Sequence, residues 1–357
     1  MSTHIKFLLS HYIKSLGYVF FIIFSLVIIL NTLSEIEFFK NYDVNSYIPI
    51  YLALLNSSDL VFEMFPFIFL IATQVFFTNL FVDDQINILK YSGFKNSKII
   101  TIISLLALFI GILIVTFFYS FSSNLKNLYL SYKNQYSSDN KYLAVVTKNG
   151  LWIRDAVKEE LYIINAVKIK KNFIEDVTIN VFNDNYDLKK IILSERIDIK
   201  SNDWLLYNST IVEENSKEKT AIMKIFSNFD YEKINNLFSD LSSLSILELY
   251  ELKKNYENIN YSTTEIESKL QKLFSLPFYF TLMTLLSSII MFNTKRFKNN
   301  TIKITIGLLV CVLVYYLNSF FQVLGSTEKI SLITSVWLTP LILILINFAL
   351  ILNINEK

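Results

Sequence analysis

Apolar and polar positions alternate along this chain on two different scales. Toward both ends lie six long apolar runs, roughly 16–34, 60–81, 99–121, 273–292, 302–321 and 331–352. A bilayer core of about 30 Å needs about 20 apolar residues in a helix, so each run predicts a spanning helix. Between the third and fourth runs the scale shortens. YLAVV, GLWIRD, LYIINAVKI, VTINVF, IILSERIDI and WLLYNSTIV are brief stretches of Val, Ile and aromatics, broken by Asn, Asp, Gly or Lys. Such stretches, recurring about every ten residues, predict β-strands. Strict alternation in VTINVF and SERIDIK implies one buried face and one wet face.

The predicted fold is therefore a membrane α-helical protein of six transmembrane helices with an inserted all-β domain, a sandwich or jelly-roll. The expected divisions are 1–121 (helices one to three), 122–270 (the β domain with helical flanks) and 271–357 (helices four to six). Residues 122–136 read as a continuation of the third helix. Residues 245–270 read as helix returning to the membrane, with Ser245 as its cap. Pro66, Pro277 and Pro340 interrupt spans and allow kinks. The first run starts too far in and is too long for a cleavable signal peptide.

Short loops carry the orientation signal. Lys6 and Lys14 precede the first run, Lys90, Lys95 and Lys98 follow the second, and Lys295, Arg296, Lys298 and Lys303 separate the fourth from the fifth. The 1–2 loop sets Lys40 against Glu35, Glu37 and Asp43, and the 5–6 loop has only Glu328 and Lys329. Both termini and the 2–3 loop are thus expected on the cytoplasmic side, with the β domain opposite.

Composition agrees, because 53% of the chain is apolar and 15% aromatic. The net charge of +2 gives no reason to expect a nucleic-acid partner. Cys311, the single cysteine, lies inside the fifth run and reads as an apolar filler. The only histidines, His4 and His11, precede the first run, which leaves no Ser-His pair or histidine metal site elsewhere. No glycine is followed by Lys, so a GxxxxGK[ST] phosphate loop is excluded. Neither a catalytic site, a metal nor a cofactor is expected. Paired carboxylates exist, such as Asp59 and Glu63, four apart on one helix face, and such a pair could hold a cation or a proton. The competing reading is interfacial acids near a helix start.

One polar break is itself patterned. DDQINILKYSGFKNSK (83–98) sets Ile86, Ile88 and Leu89 among polar residues, with Asp83 placed to cap a helix and Gly93 to end it. So short a helix is unstable alone and must lie against something. Its acidic first half argues against headgroups and for a protein partner.

Several motifs in order, MFPF (64–67), DDQINILKYSGF (83–94), GLWIRD (150–155), LYIINAVKI, VTINVF, LSILELYELKKNY (244–256), YYLNSFFQVLG (315–325) and WLTP (337–340), resemble the LptF/LptG-type permeases of lipopolysaccharide export. The strands at 150–182 and the 315–340 segment look more like the G-type subunit. The resemblance implies a permease subunit of an ABC transporter in the inner membrane of a Gram-negative bacterium. Its implied partners are a cytoplasmic ABC ATPase dimer, a second LptF/LptG-type permease and periplasmic β-jelly-roll bridge proteins, with lipopolysaccharide as cargo. It implies that 83–94 is the ATPase-coupling helix, with Asp84, Gln85, Ile86, Leu89 and Gly93 as its residues. Gln85 stands where the family usually carries Glu. It further implies lipid contacts at Lys40, Tyr316 and Phe320, with spans one and five as gates. The alternative is a membrane-anchored receptor or assembly scaffold whose β domain binds a partner without transport.

Overall fold

The computed structural model describes residues 3–42, 44–133, 136, 144–147, 150–157, 160–170, 172–183, 186–213, 216–231, 234, 241–258, 263–293, 300–327 and 329–355. Asp43, Glu328 and the basic trio Lys295, Arg296 and Lys298 lie outside them. The chain divides into two compact units, Met1–Leu130 with Ser268–Lys357, and Ser131–Glu267.

Unit one is helical: α1 (Thr3–Phe38), α2 (Tyr47–Val82), α3 (Gln85–Tyr91), α4 (Asn96–Leu113), α5 (Tyr119–Lys133), α7 (Thr264–Asn293), α8 (Asn300–Ser326) and α9 (Leu332–Asn355). A π-helical turn, Ile114–Phe118, joins α4 to α5 without a break, so six helices are long and apolar enough to cross a membrane. They extend beyond the apolar runs because polar turns can continue a helix once they reach water. Pro66, Pro277 and Pro340 all lie within continuous helices.

The packing places α2 and α7 at the centre, with 67% and 72% of their most apolar windows buried. The corresponding figures for α1 and α8 are 17% and 11%, which puts those two helices at the periphery. Aromatic contacts build the centre: Phe69 stacks on Phe280 at 4.9 Å, and Phe65 meets Phe118 edge-on at 5.2 Å. The Tyr12 hydroxyl lies 3.3 Å from Thr73 Oγ1 and 3.1 Å from Thr284 Oγ1, linking α1, α2 and α7. Gly111 exists for a close approach, since a Cβ there would stand 3.0 Å from the Pro277 backbone.

Unit two is a sheet of seven strands: β1 (Ala144–Thr147), β2 (Gly150–Val157), β3 (Glu160–Lys170), β4 (Phe173–Phe182), β5 (Leu188–Asp198), β6 (Asp203–Glu213) and β7 (Ser216–Phe226). Every strand pairs antiparallel with its neighbours in sequence. The alternation read from the sequence is realised, for Leu151, Ile153 and Val157 on β2 and Val177, Ile179 and Val181 on β4 are buried. A jelly-roll arrangement is not confirmed. The described strands form one up-and-down sheet, and no described pairing makes a jelly-roll crossover. Tight connections explain this, since only residues 171 and 172 part β3 from β4, and such turns pair strands locally.

The chain after β7 hydrogen-bonds back to the sheet. The Phe229 carbonyl accepts from Trp204 Nε1 at 2.7 Å, and the Tyr231 amide donates to the Ile199 carbonyl at 2.8 Å. At the other side, the buried Asp155 carboxylate on β2 accepts from Ser227 Oγ at 2.7 Å, Asn228 N at 3.0 Å and Asn228 Nδ2 at 2.8 Å. A strand-two carboxylate thus clasps the segment leaving strand seven. The helix α6 (Ile246–Asn258) follows. Ser245 caps it in a reciprocal box, its amide donating to Glu248 Oε2 at 2.7 Å while its Oγ accepts from the Glu248 amide at 3.4 Å.

Candidate functional site

The break at 83–94 folds as the seven-residue α3. It begins not on an Asp83 cap but on Asp84, whose φ of 54° turns the chain sharply off α2. The acidic side chains bond locally instead: Gln85 Nε2 donates to Asp83 Oδ2 at 3.2 Å and Asn87 Nδ2 to Asp84 Oδ1 at 2.6 Å. The other end matches its sequence signal. Gly93 takes a φ of 83°, its amide donates to the Lys90 carbonyl at 2.9 Å, and the Phe94 amide donates to the Leu89 carbonyl at 3.0 Å. Those two bonds are a Schellman closure, completed by an apolar contact between its ends.

That contact decides which face of α3 is available. Ile86, Leu89 and Phe94 are buried in one cluster with Leu8 and Tyr12 of α1, Phe77 and Leu80 of α2, Ile99 and Ile103 of α4, and Phe292 of α7. The short helix therefore leans first on its own bundle, an option that reading it as a free amphipathic helix leaves out. Ile86 and Leu89 are its anchors. Its outward face carries Asp84, Asn87, Ile88 and Lys90, with Tyr91 beside them, while Gln85 is half-buried. Ile88 is 59% exposed and Tyr91 is 90% exposed. Sequence reasoning passed over these two residues as contact positions. The spacing held a signal, because Ile86/Leu89 and Ile88/Tyr91 are two i,i+3 pairs on opposite faces.

The residues expected to contact lipid fall on the peripheral helices and their ends. Lys40 is exposed in a 3₁₀ turn, Phe39–Asn41, directly after α1. Tyr316 and Phe320, four apart on α8, are 67% and 60% exposed. The structure brings Tyr316 and Phe320 onto one helix face but reports no contact between them and Lys40.

Asp59 and Glu63 do not act as a pair. Asp59 is buried and lies 3.3 Å from Lys126 Nζ of α5, whereas Glu63 remains wet and lies 3.9 Å from Lys272 Nζ of α7. Lys126 also donates to Asn56 Oδ1 at 2.7 Å, and Asn56 Nδ2 donates to Asn31 Oδ1 at 3.2 Å. Nearby, Tyr129 donates to Glu35 Oε1 at 2.8 Å. A polar seam thus joins α1, α2 and α5, satisfying groups that apolar surroundings would otherwise penalise. Among the described residues no cluster of His, Cys, Asp or Glu is built to hold a metal.

Six helices long and apolar enough to cross a membrane, an inserted antiparallel sheet, and a short helix packed against the helical bundle define a multi-pass membrane protein. A family model described as lipopolysaccharide export system permease LptF/LptG matches residues 6–353, and the chain belongs to that family. Its members are non-catalytic transport subunits of the inner membrane. A comparison with curated proteins finds no match.

Proposed function

We propose that this chain is the transmembrane permease subunit, of the G type, of an ABC transporter that extracts lipopolysaccharide from the inner membrane. A cytoplasmic ATPase dimer docks on α3 and supplies the work. A second LptF/LptG-type permease faces α1 and α8 across the lipid path, and periplasmic β-rich bridge proteins receive the cargo at the inserted sheet. Both termini and α3 lie on the cytoplasmic side, in keeping with the basic short loops.

The single observation that carries this reading is the two-faced packing of α3. One face is buried in the bundle through Ile86 and Leu89, and the other offers Ile88 and Tyr91 to solvent. Such an element transmits force, because a push on the exposed face moves α1, α2, α4 and α7 together. Two further features support the transport path. α1 and α8 are the least covered of the spans, as gates facing lipid or a partner subunit would be. Lys40 beside the end of α1 is a cation placed for an anionic headgroup.

The test is co-purification of the tagged chain from its native membranes in mild detergent. The expected preparation contains a cytoplasmic ABC ATPase and a second six-span permease. Tyr91→Glu combined with Ile88→Glu releases the ATPase and retains the companion permease. A clean preparation with neither protein would overturn the proposal.

A further inference from the structure

Four glycines lie inside the spanning helices: Gly17 on α1, Gly111 on α4, and Gly307 and Gly325 on α8. Glycine is less favourable than alanine in a helix interior, so each needs a reason. Three have one within the molecule. A side chain would strike Pro277 at position 111, Gln74 at 307 and Ser335 at 325. At position 17 a Cβ would meet nothing within 4 Å. The notch at Gly17 therefore serves no contact among the described residues, and its occupant comes from outside the chain.

The surroundings of the notch define that occupant. α1 turns Leu8, Tyr12, Ser15 and Val19 inward. Lys6, Ser10, Lys14 and Tyr18, each four residues after the last, share the opposite, exposed face. Tyr18 is 63% exposed. Lys6, Lys14 and Tyr18 make no hydrogen bond, ion pair or ring contact among the described residues. No Asp or Glu precedes Glu35, so this part of α1 supplies no counter-charge to its own lysines. Nor is the face built for a second helix. Close helix pairing in a membrane wants another small residue four positions away, and those positions hold Ile13 and Phe21.

Depth narrows the chemistry further. The apolar run begins at residue 16, so Lys14 stands about 3 Å of helical rise outside it and Gly17 lies at its edge. The headgroup layer adds about 5–7 Å on each side of the hydrocarbon, which sets Lys14 at the level of lipid phosphates. Lys6 lies about 15 Å out from residue 16 along the axis and acts through the surface field. With 17% of its most apolar window buried, α1 is open to lipid.

We propose that Lys14, Gly17 and Tyr18 bind the headgroup of an anionic glycerophospholipid in the leaflet at the amino-terminal end of α1. The phosphodiester accepts from the Lys14 ammonium and the Tyr18 hydroxyl. The missing side chain at 17 lets the glycerol backbone approach the helix closely. A zwitterionic lipid brings its own ammonium, which competes with Lys14 for the phosphate, so the site discriminates by net charge. The proposal needs only that α1 crosses the membrane, and it stands apart from both the cargo and the docking surface on α3.

The experiment uses the full-length protein in nanodiscs of phosphatidylethanolamine and phosphatidylglycerol with matched acyl chains. Native mass spectrometry counts the lipids each variant retains. The native chain is expected to retain phosphatidylglycerol about fivefold over phosphatidylethanolamine, the scale of one lysine at an anionic surface. Lys14→Gln and Gly17→Leu each remove that preference, and Lys14→Arg keeps it. A side chain at 17 has open space, so Gly17→Leu keeps the native thermal midpoint and its loss of lipid is not misfolding. Equal retention of the two lipids by the native chain would overturn the site, as would a preference unchanged in both Lys14→Gln and Gly17→Leu. A Gly17→Leu chain that keeps its lipid preference but sheds a companion protein would give the notch to a protein and overturn the lipid assignment. Each of these outcomes leaves the permease reading standing, because that reading is tested by co-purification of the ATPase.

Discussion

Lys126 of α5 and Asp59 of α2 stand 3.3 Å apart inside the helical unit, each with less than a sixth of its side chain exposed. The pair fastens the third span to the second within the polar seam that also holds Asn56 and Asn31. Removing one partner strands the other charge, at a cost of about 3–5 kcal/mol for a buried pair. Asp59→Ala is therefore expected to lower the thermal midpoint of the full-length protein in detergent by several degrees. The double variant Asp59→Asn with Lys126→Met should recover much of the loss, since no charge is then left unpaired. Equal midpoints for the single variant and the native chain would show that the pair carries no weight.

The two faces of α3 should separate stability from coupling. Ile86→Ala and Leu89→Ala each empty a packed site and should cost about 2–5 kcal/mol. Ile88→Ala and Tyr91→Ala remove exposed groups and should change stability by no more than about 0.5 kcal/mol. Thermal melts test the first statement. ATPase retention on the purified chain tests the second, and only the exposed pair should lower it without lowering the midpoint.

At Gly93 the limit is backbone conformation rather than space. A Cβ there would meet nothing within 4 Å, yet φ is +83°. A residue with a side chain pays about 1–2 kcal/mol in that region, and Asn less. The expected order of thermal midpoints is Gly, then Asn, then Ala, then Val.

Asp155→Ala should loosen the closure of the sheet. It leaves the Ser227 hydroxyl and the Asn228 donors without their acceptor, at about 1–3 kcal/mol for each buried unsatisfied group. Limited proteolysis of the full chain should then cut within 216–231 faster than in the native protein, and Asp155→Asn should fall between the two.

Acid should weaken the sheet slightly through Glu160. The hydrogen bond from Lys189, 3.0 Å from Glu160 Oε1, holds this carboxyl below its ordinary 4.5. Because the folded value is the lower one, the contribution is present in full above the ordinary value and is lost as pH falls through the folded value. Both groups are partly exposed, so the effect is small. Melts of the native chain and Glu160→Gln should differ at pH 7 and converge in acid.

The long apolar runs could be read as spans because about twenty consecutive apolar residues have few other stable fates. Alternation in VTINVF and SERIDIK likewise fixed which strand positions are buried, and Ser245 and Gly93 announced a helix start and a helix end. Each of these signals is local, carried by neighbours a few residues apart. The face of α3 that is covered was not local, since Ile86 and Ile88 are equally apolar and only the positions of α1, α4 and α7 distinguish them. The same holds for Asp59, whose partner Lys126 lies 67 residues away in sequence by number, and for Glu63, whose partner lies on α7. It holds for Asp155, read only as the end of a motif until the chain after β7 returned to it. Periodicity and caps therefore determined which elements form and where they stop. Tertiary structure alone decided which charges are neutralised and which apolar faces stay open, because those outcomes depend on contacts between segments that no short-range pattern encodes.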